Sequence, residues 1–431
     1  MARLWGRGYT LYRDTWVDRP QGLILVFRGL HLVAGSAVAM RAAAALVAAL
    51  VVAATIVLAL RLAGGRITAV AAGLLAGTVG ASPYLESFTF SGELLASLVS
   101  ILSLLAFTEY LRRRQAVWLV AAGLLAGCAV LVKQSAMDAG LAAVAYLLWR
   151  RRPNGLPAAA AFVLLALVPV AIAAAAATSF HDWWYAVVRY RLDGDSLLSG
   201  SPALRWHQFW TSAAAAAQGL GLLVALALVG WRGAPLLVRL WLAAAVLGVL
   251  GGGAFHPHYY LQLVPPLSLL AALGVRRLWL AGSRAALAAA AAAGIASVGV
   301  AVPIALASPR DQARAIWPHD PHLQHDAALA RYVASHSRGS ERILAIWADA
   351  DLYYLADRDP AIPYLWERNV EAIPSALDGA RSALVRGRPR LVVVVQPPGK
   401  VDPSGRTAAI LHRRYRLAAR VEGVPVYRRR T

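Results

Sequence analysis

Charged side chains stand at the borders of the apolar segments of this chain, where a membrane protein would meet water. Glu86 and Glu93 flank one border, and a charged side chain in a bilayer costs about 2.5 to 3.5 kcal/mol at the centre and less near the surface. Both could simply face the headgroups, but this cost indicates a function, and we favour Glu93 over Glu86. Lys133 at the next border could hold a phosphate as a point charge, or extend to the headgroups without one.

Histidines and tyrosines mark a third border, where the chain reads His-Pro-His-Tyr-Tyr from His256. A zinc site needs three or four ligands, so His256 and His258 alone are a weak metal signal. Hydrogen bonding of His258 and Tyr259 to a phosphate or sugar is the favoured interpretation, and a divalent metal stays possible. Asp349 and Asp351 have the spacing of the metal-binding acids of nucleotide-sugar transferases, but a helix cap or turn is the simpler reading of so short a pattern.

Two further segments combine charges with aromatic rings. Residues 8–22 place carboxylates, arginines and aromatics ahead of the first long apolar run, and a lipid phosphate would meet such a surface first. The loop 179–212 could be an ordinary aromatic belt at the membrane interface. Alternatively, it provides a groove for a lipid tail and its phosphate, or for an acceptor. The groove candidates are Trp183, Trp184, Arg189 and Arg191.

The composition indicates an α-helical polytopic membrane protein. Of the 431 residues, 59% are hydrophobic and 15% are charged, and the mean hydropathy is +0.55, which is implausible for a water-soluble chain. The net charge of +21 comes from short basic groups between apolar runs. That arrangement is typical of orientation signals and of contacts with the lipid bilayer, so we expect no nucleic-acid partner. Cys128 is the one cysteine, which excludes a disulfide framework within the chain and a thiolate metal site.

About ten transmembrane helices are predicted, after an interfacial helix over residues 22–35 that is too short to cross. Basic groups fall in alternate loops, which places those loops in the cytoplasm and the loops with the polar borders outside. We therefore expect a multi-pass protein of the cytoplasmic membrane. The predicted spans are 38–60, 67–84, 92–111, 116–132, 136–149, 156–178, 213–229, 235–254, 259–275 and 285–306.

The composition changes after residue 306, where charged residues and prolines return and helical stretches alternate with β-rich stretches. The run Leu391-Val392-Val393-Val394-Val395 reads as a buried strand, so we expect a small α/β domain with a mainly parallel sheet. The predicted organisation has three parts. They are an outer loop with the interfacial helix (1–37), a transmembrane domain (38–306) and an extracytoplasmic α/β domain (307–431).

Several short motifs follow one another along the chain. They are Tyr12-Arg13-Asp14-Thr15-Trp16, Arg19-Pro20-Gln21-Gly22, Arg41, Glu93 at the head of a helix, a Gly-rich run 123–133 ending in Lys133, His258-Tyr259-Tyr260 and Pro265-Pro266. Their order resembles the GT-C membrane glycosyltransferases of glycosyltransferase family 39 and its relatives. These include protein O-mannosyltransferases, the aminoarabinose transferases of lipid A and the Rgt-type lipopolysaccharide transferases.

The resemblance implies a GT-C-like transmembrane domain and transfer of a sugar, with inversion, from a polyprenyl-phosphate donor to a cell-envelope acceptor on the outer face. Such chemistry needs a carboxylate to take the acceptor's proton and cations to stabilise the leaving phosphate. Our candidates for the catalytic carboxylate are Glu93 and Asp14. Our candidates for a donor-phosphate site are Arg13, Arg19, Lys133, His258 and Tyr259, and no metal ligand is assigned.

The sequence departs from the family pattern at its start. The family's Asp-Glu pair precedes the Tyr-x-Asp motif, whereas residues 1–8 contain no acidic residue. We therefore expect either that the first helix is missing from this sequence or that the protein is an inactive relative. Two alternatives stay open, namely a polyprenyl-linked sugar transporter and a non-catalytic envelope assembly or binding protein. A transporter would be expected to show internal repeats, which the sequence lacks.

Overall fold

The computed structural model describes residues 1–63, 65–149, 155–192, 202–251, 255–318, 320, 322–347 and 350–430. The chain divides into two compact units. The helical unit comprises Arg19–Phe180 and Ser199–Ala307, and the sheet unit comprises Met1–Asp18, His181–Leu198 and Ser308–Thr431. Of the two aspartates with the spacing of a metal site, Asp349 and Asp351, Asp349 lies outside the described residues.

The helices are numbered here in chain order. They are α1 (Ala2–Gly6), α2 (Gln21–Val33), α3 (Ala37–Leu62), α4 (Arg66–Gly80), α5 (Gly92–Arg113), α6 (Ala116–Val132), α7 (Asp138–Trp149), α8 (Gly155–Ala175), α9 (Phe180–Trp184), α10 (Pro202–Gly230), α11 (Leu236–Gly251), α12 (Val264–Leu280), α13 (Arg284–Leu306), α14 (Pro309–Ile316), α15 (His322–His336), α16 (Ala350–Leu355), α17 (Glu367–Ala372), α18 (Pro374–Val385) and α19 (Arg406–Arg414). A π-helical turn, Tyr185–Arg189, follows α9. Four segments of the described chain form tight 3₁₀ turns: Pro83–Leu85, Trp231–Gly233, Pro257–Leu263 and Pro398–Lys400.

Each predicted span overlaps a helix, but the bounds differ. In the described residues, six helical segments are long and apolar enough to cross a membrane: Val38–Leu62, Gly92–Arg113, Gly155–Ala175, Arg205–Gly233, Pro257–Leu280 and Arg284–Leu306. The helices α4, α6, α7 and α11 are apolar but shorter. The interfacial segment is the helix α2, and its place at the membrane surface stays a prediction.

Glycines allow neighbouring helices of the helical unit to approach closely. A Cβ atom at Gly127 of α6 would collide with the carbonyl oxygen of Ala166 on α8. A Cβ atom at Gly274 of α12 would likewise collide with the carbonyl oxygen of Leu226 on α10. Small residues at such contacts bring helix backbones together and increase van der Waals packing, which is a main source of helix association in membranes.

A buried carboxylate joins three helices of the helical unit. Asp138 is 3% exposed and accepts hydrogen bonds from Ser100 Oγ at 2.8 Å and from Trp241 Nε1 at 2.7 Å. These contacts connect α7 to α5 and α11. A buried polar group is costly unless it is hydrogen-bonded. These hydrogen bonds therefore oppose sliding of α5 along its axis relative to α7 and α11.

A second carboxylate anchors the C-terminal end of α5. Glu109 accepts hydrogen bonds from Arg112 at 2.9 Å and from Arg113 at 2.8 Å. It also lies 3.4 Å from Arg61 at the end of α3. This cluster ties α3 to α5 at the end of α5 that is opposite to Glu93.

Among its described residues, the sheet unit contains a four-stranded sheet in the order β1-β2-β4-β3. The strands are β1 (Arg342–Ile346), β2 (Pro389–Val394), β3 (Tyr415–Val421) and β4 (Val424–Arg429). Only β1 and β2 are parallel, and the other two pairs are antiparallel. Our prediction of a mainly parallel sheet was therefore wrong. The reason lies in the turn between β3 and β4, where Glu422 and Gly423 both have positive φ, the geometry that reverses a chain in a tight hairpin.

Buried polar contacts hold the helices of the sheet unit in place. Asp402 is 1% exposed and accepts hydrogen bonds from Thr407 N at 2.7 Å, from Ser404 Oγ at 2.5 Å and from Arg381 at 2.7 Å. Burial alone would raise the pKa of Asp402, but these partners outweigh it and hold that pKa well below its usual value. At the start of the chain, Arg3 and Arg7 form ion pairs with Asp357, so α1 belongs to this unit.

Candidate functional site

Three turns of the helical unit bring polar side chains to one place. Glu86 follows the 3₁₀ turn Pro83–Leu85 and adopts a left-handed conformation with φ of 51°. Glu93 stands in the first turn of α5, whose N-cap Ser91 accepts a hydrogen bond from Leu94 N at 3.2 Å. A carboxylate at this end of a helix is favoured by the helix dipole. Lys133 terminates α6, and His258 lies in the turn Pro257–Leu263.

The centre of the site is a buried ion pair between Glu93 Oε1 and Lys133 Nζ. The two side chains are 1% and 10% exposed. Lys133 Nζ also lies 3.6 Å from the ring centroid of Tyr259, within the range of a cation–π interaction. The second carboxylate oxygen, Glu93 Oε2, is buried and has no hydrogen-bond partner among the described residues. A carboxylate oxygen in this position can accept a proton or a hydrogen bond.

His258 connects the two carboxylates of the site. Its Nδ1 is 2.5 Å from Glu86 Oε2, and its Nε2 is 3.6 Å from Glu93 Oε1. His256 stacks against His258, with ring centroids 5.4 Å apart and planes 5° apart. The Glu86 contact orients the imidazole and leaves Nε2 directed toward Glu93, where it can bind an anion or transfer a proton.

Arg19 adds a second permanent cation to this cluster. A Cβ atom at Gly92 would lie 3.6 Å from Arg19 Nη1, so the guanidinium borders the residue next to Glu93. The structure thus brings together the predicted residues Arg19, Glu93, Lys133, His258 and Tyr259. Their roles in binding or catalysis stay predictions.

Glu86 takes part in this cluster, although the sequence led us to favour Glu93 over it. The two glutamates do not share a helix, because α5 begins at Gly92. The left-handed turn at Glu86 instead directs the side chain to His258. The available signal was the position of Glu86 beside the polar border itself, since its backbone conformation cannot be inferred from the residue type.

Asp14 and Arg13 belong to the sheet unit. Asp14 is exposed and accepts a hydrogen bond from Thr10 N at 2.8 Å, which closes a turn. Arg13 is exposed and lies 3.6 Å from Asp182 Oδ2. These contacts are structural in kind, and the catalytic role of Asp14 and the phosphate-binding role of Arg13 stay predictions.

The predicted groove residues differ in accessibility. Trp183 is 4% exposed, and its part in a groove stays a prediction. Trp184 is 46% exposed, and Arg189 is exposed as well. Arg191 forms an ion pair with Asp18 at 2.5 Å, which restricts the movement of its side chain. Whether Trp184, Arg189 and Arg191 contact a lipid or an acceptor stays a prediction.

A metal is not assigned to this site. Within the described part of the chain, no group of three or more His, Cys, Asp or Glu side chains has a geometry that could hold a metal ion.

A family model matches part of the chain. The model of the family described as dolichyl-phosphate-mannose-protein mannosyltransferase matches residues 19–175. This region includes Arg19, Glu86, Glu93 and Lys133 but not His258. A comparison with curated proteins returned no match.

Solved structures match over nearly the whole chain. ArnT from Cupriavidus metallidurans bound to undecaprenyl phosphate is 17% identical, with a TM-score of 0.59, and the match covers 95% of this chain and 87% of that chain. The apo state of the same ArnT is 15% identical, with a TM-score of 0.55 and coverages of 96% and 88%. The Archaeoglobus fulgidus oligosaccharyltransferase, in complex with Zn and sulfate, is 13% identical, with a TM-score of 0.52 and coverages of 89% and 60%. The resemblance to GT-C glycosyltransferases is thereby confirmed, and the chain has a GT-C fold.

Proposed function

We propose that this GT-C chain is a membrane glycosyltransferase that moves a sugar from a polyprenyl-phosphate donor to a cell-envelope acceptor. The acceptor would be a glycan, a lipid or a protein on the outer face of the cytoplasmic membrane. The observation that carries the proposal is the buried Glu93, paired with Lys133 through one oxygen and left without a described partner at the other. The undecaprenyl phosphate bound to ArnT, a structural neighbour, supports the class of donor.

The cations of the site suit the leaving group of this reaction. When the sugar leaves, negative charge increases on the polyprenyl phosphate, and fixed positive groups in a water-poor site stabilise that charge in the transition state. Lys133 and Arg19 supply permanent charge, and His258 supplies a hydrogen-bond donor. A phosphate near Lys133 would compete with Glu93 for the ammonium group. Donor binding would thus weaken the ion pair and make the carboxylate more available as a base.

The carboxylate suits the acceptor side. The acceptor hydroxyl or amine forms a bond to the anomeric carbon while the bond to the phosphate oxygen breaks, and the acceptor's proton passes to a carboxylate. Glu93 Oε2 is our first candidate for this base, and Asp14 is the second. His258, held by Glu86, would position the donor phosphate through Nε2. A general base at this step contributes about 10² to 10⁴ in rate.

The proposed orientation places the sheet unit outside the cytoplasm. Basic groups such as Arg112, Arg113 and Arg61 lie at the end of α5 that is opposite to Glu93, and basic residues mark the cytoplasmic side of membrane proteins. Glu93 would then face the outer leaflet, where a flipped polyprenyl-linked donor is exposed.

Transfer from radiolabelled undecaprenyl-phosphate sugars to an envelope extract tests the proposal on the purified full chain in nanodiscs. We expect transfer with at least one donor, and a loss of about 100-fold or more in Glu93→Gln. Glu109→Gln is the matched control, because Glu109 is a buried, ion-paired glutamate at the opposite end of the same helix. Absence of transfer with every donor, or equal activity of the Glu93→Gln protein and the wild type, would refute the proposal.

A further inference from the structure

The sheet unit carries a cleft lined with arginines at one edge of its sheet. The cleft has a volume of about 500 Å³ and is lined by Ser340, Glu341, Arg342, Arg388, Arg390 and Arg429. We call it the arginine cleft. It lies outside the helical unit that contains Glu93 and Lys133.

The strand topology explains why these arginines meet. Parallel strands begin at the same edge of a sheet, and Arg342 opens β1 while Arg388 and Arg390 stand at the start of β2. The strand β4 runs antiparallel to β2, with Leu391 paired to Arg428. Arg429 at the end of β4 therefore arrives beside Arg390. Arginines that are distant in sequence thus converge because two strands begin and one ends at this edge.

Local contacts hold three of these side chains in place. Arg429 Nη1 donates a hydrogen bond to the carbonyl oxygen of Gly387 at 2.6 Å. A Cβ atom at Gly387, whose φ is +61°, would lie 2.8 Å from Arg429 Cδ, so a larger residue would be strained there and would displace Arg429. Arg390 Nε lies 3.6 Å from Glu341 Oε1. Arg342 donates to the Tyr9 hydroxyl at 3.4 Å.

The lining is strongly positive. It contains four guanidinium groups and one carboxylate, Glu341. Like charges in one cleft repel each other, and an anion that enters the cleft relieves that repulsion. Guanidinium groups bind phosphate with two parallel hydrogen bonds, which makes arginine the preferred residue for recognising phosphate.

We propose that the arginine cleft binds a phosphate-bearing saccharide, as a second ligand site independent of the proposed transferase site. The volume of the cleft lies within the range of about 300 to 1,000 Å³ that is typical of small-molecule sites. The cleft is therefore larger than a bare phosphate requires. All six lining residues are polar, which suits sugar hydroxyls and offers no apolar wall for an acyl chain. Ser340 and Glu341 provide a hydroxyl and a carboxylate for hydrogen bonds to those sugar hydroxyls.

Titration of the purified full chain in phosphatidylcholine nanodiscs with glucose 1-phosphate tests this site by calorimetry. We expect saturable binding that is weaker for inorganic phosphate and absent for glucose. Arg388→Gln and Arg390→Gln should each weaken binding by about tenfold or more, the effect of losing a charge-assisted hydrogen bond. The affinity of Arg390→Lys should lie between those of the wild type and Arg390→Gln, because lysine keeps the charge and loses the planar guanidinium fork.

Two controls make the outcome decisive. Arg386→Gln removes an exposed arginine from the same segment without touching the lining and should bind like the wild type. Lys133→Gln should also bind normally, which separates this site from a phosphate bound near Glu93. The melting midpoint of each variant reports whether it folds. If a glutamine variant does not fold, the Arg390→Lys variant keeps the test valid.

Three results would overturn the proposal. The first is absence of glucose 1-phosphate binding by the folded wild type. The second is binding that survives Arg388→Gln and Arg390→Gln but is lost in Lys133→Gln. The third is tighter binding of glycerol 1-phosphate than of glucose 1-phosphate, which would assign the cleft to a phospholipid headgroup.

Discussion

The pairing of Glu93 with Lys133 makes a prediction that separates stability from catalysis. Replacing Glu93 by Gln removes the charge that balances a cation whose side chain is 10% exposed. Replacing Lys133 by Met as well removes the unbalanced cation. We expect the double variant to regain most of the stability lost in Glu93→Gln but none of the transfer activity.

The loss of stability expected in Glu93→Gln follows from the burial of the ion pair. Removing one partner of a buried ion pair costs about 3 to 5 kcal/mol, and the Tyr259 ring under Lys133 Nζ offsets about 1 to 2 kcal/mol of this. Glu93→Gln should therefore lose about 1 to 4 kcal/mol of the free energy of unfolding. A double-mutant cycle should give a coupling energy of similar size, because the side chains are in direct contact.

Unfolding in denaturant and initial transfer rates, measured in the same detergent for all four proteins of the cycle, provide the test. Transfer should fall by about 100-fold or more in each variant that lacks Glu93, which is the lower range for loss of a general base. Recovery of transfer in the double variant would show that the carboxylate serves only to balance Lys133. A coupling energy below about 0.5 kcal/mol would show that the pair does not form in solution.

Three further predictions concern other parts of the chain. Glu86→Gln should lower the turnover number by about 10-fold to 100-fold, with little change in melting midpoint, because it loosens the orientation of His258. Asp402→Asn should destabilise the sheet unit by about 2 kcal/mol at pH 7, measured by limited proteolysis. The pKa of Asp402 is depressed in the folded state, so its stabilising contribution is present above about pH 4 and is lost as the pH falls further. Gly127→Ala should cost about 1 to 3 kcal/mol through its clash with Ala166, measured as a lower melting midpoint.

Each of these predictions has a clear contrary result. A Glu86→Gln protein with normal turnover would mean that Glu86 does not orient the imidazole. A sheet unit whose resistance to protease is unchanged in Asp402→Asn would show that the buried hydrogen bonds do not hold its helices. The matched control for the glycine is Gly221→Ala, because a Cβ atom at this helical position would meet nothing within 4 Å. If Gly127→Ala melts like Gly221→Ala, the close contact of α6 and α8 is not required.

The helices could largely be predicted, because apolar runs reveal where a chain avoids water. Their ends were harder. The predicted span 67–84 is broken after α4, since Pro83 lacks the backbone N–H of a continuing helix and starts a 3₁₀ turn instead. The predicted span 213–229 is part of a longer helix that starts at Pro202. Its first turns carry polar residues among aromatics, so hydropathy alone placed the start too late.

The site could be predicted in part for a related reason. The predicted sidedness grouped the turns at Glu93, Lys133 and His258, and these three side chains do meet in the helical unit. The contact of Glu86 with His258 depends on a left-handed backbone conformation, which a glutamate rarely adopts and which residue type does not reveal. The arginine cleft was not predicted either. Its arginines meet because of the strand order, and we did not expect β4 to run antiparallel to β2.

The two buried glutamates of α5 have a mechanical consequence. At a rise of 1.5 Å per residue, Glu93 and Glu109 lie roughly 24 Å apart along the helix axis, whereas the hydrocarbon layer of a bilayer is about 30 Å thick. Charged groups held at both ends prevent α5 from sliding to suit a thicker layer, so the lipids around it must become thinner or the helix must tilt. A bilayer thinned at this point would lower the phosphate of a long-chain isoprenoid toward the pocket, and short-chain lipids should therefore favour turnover.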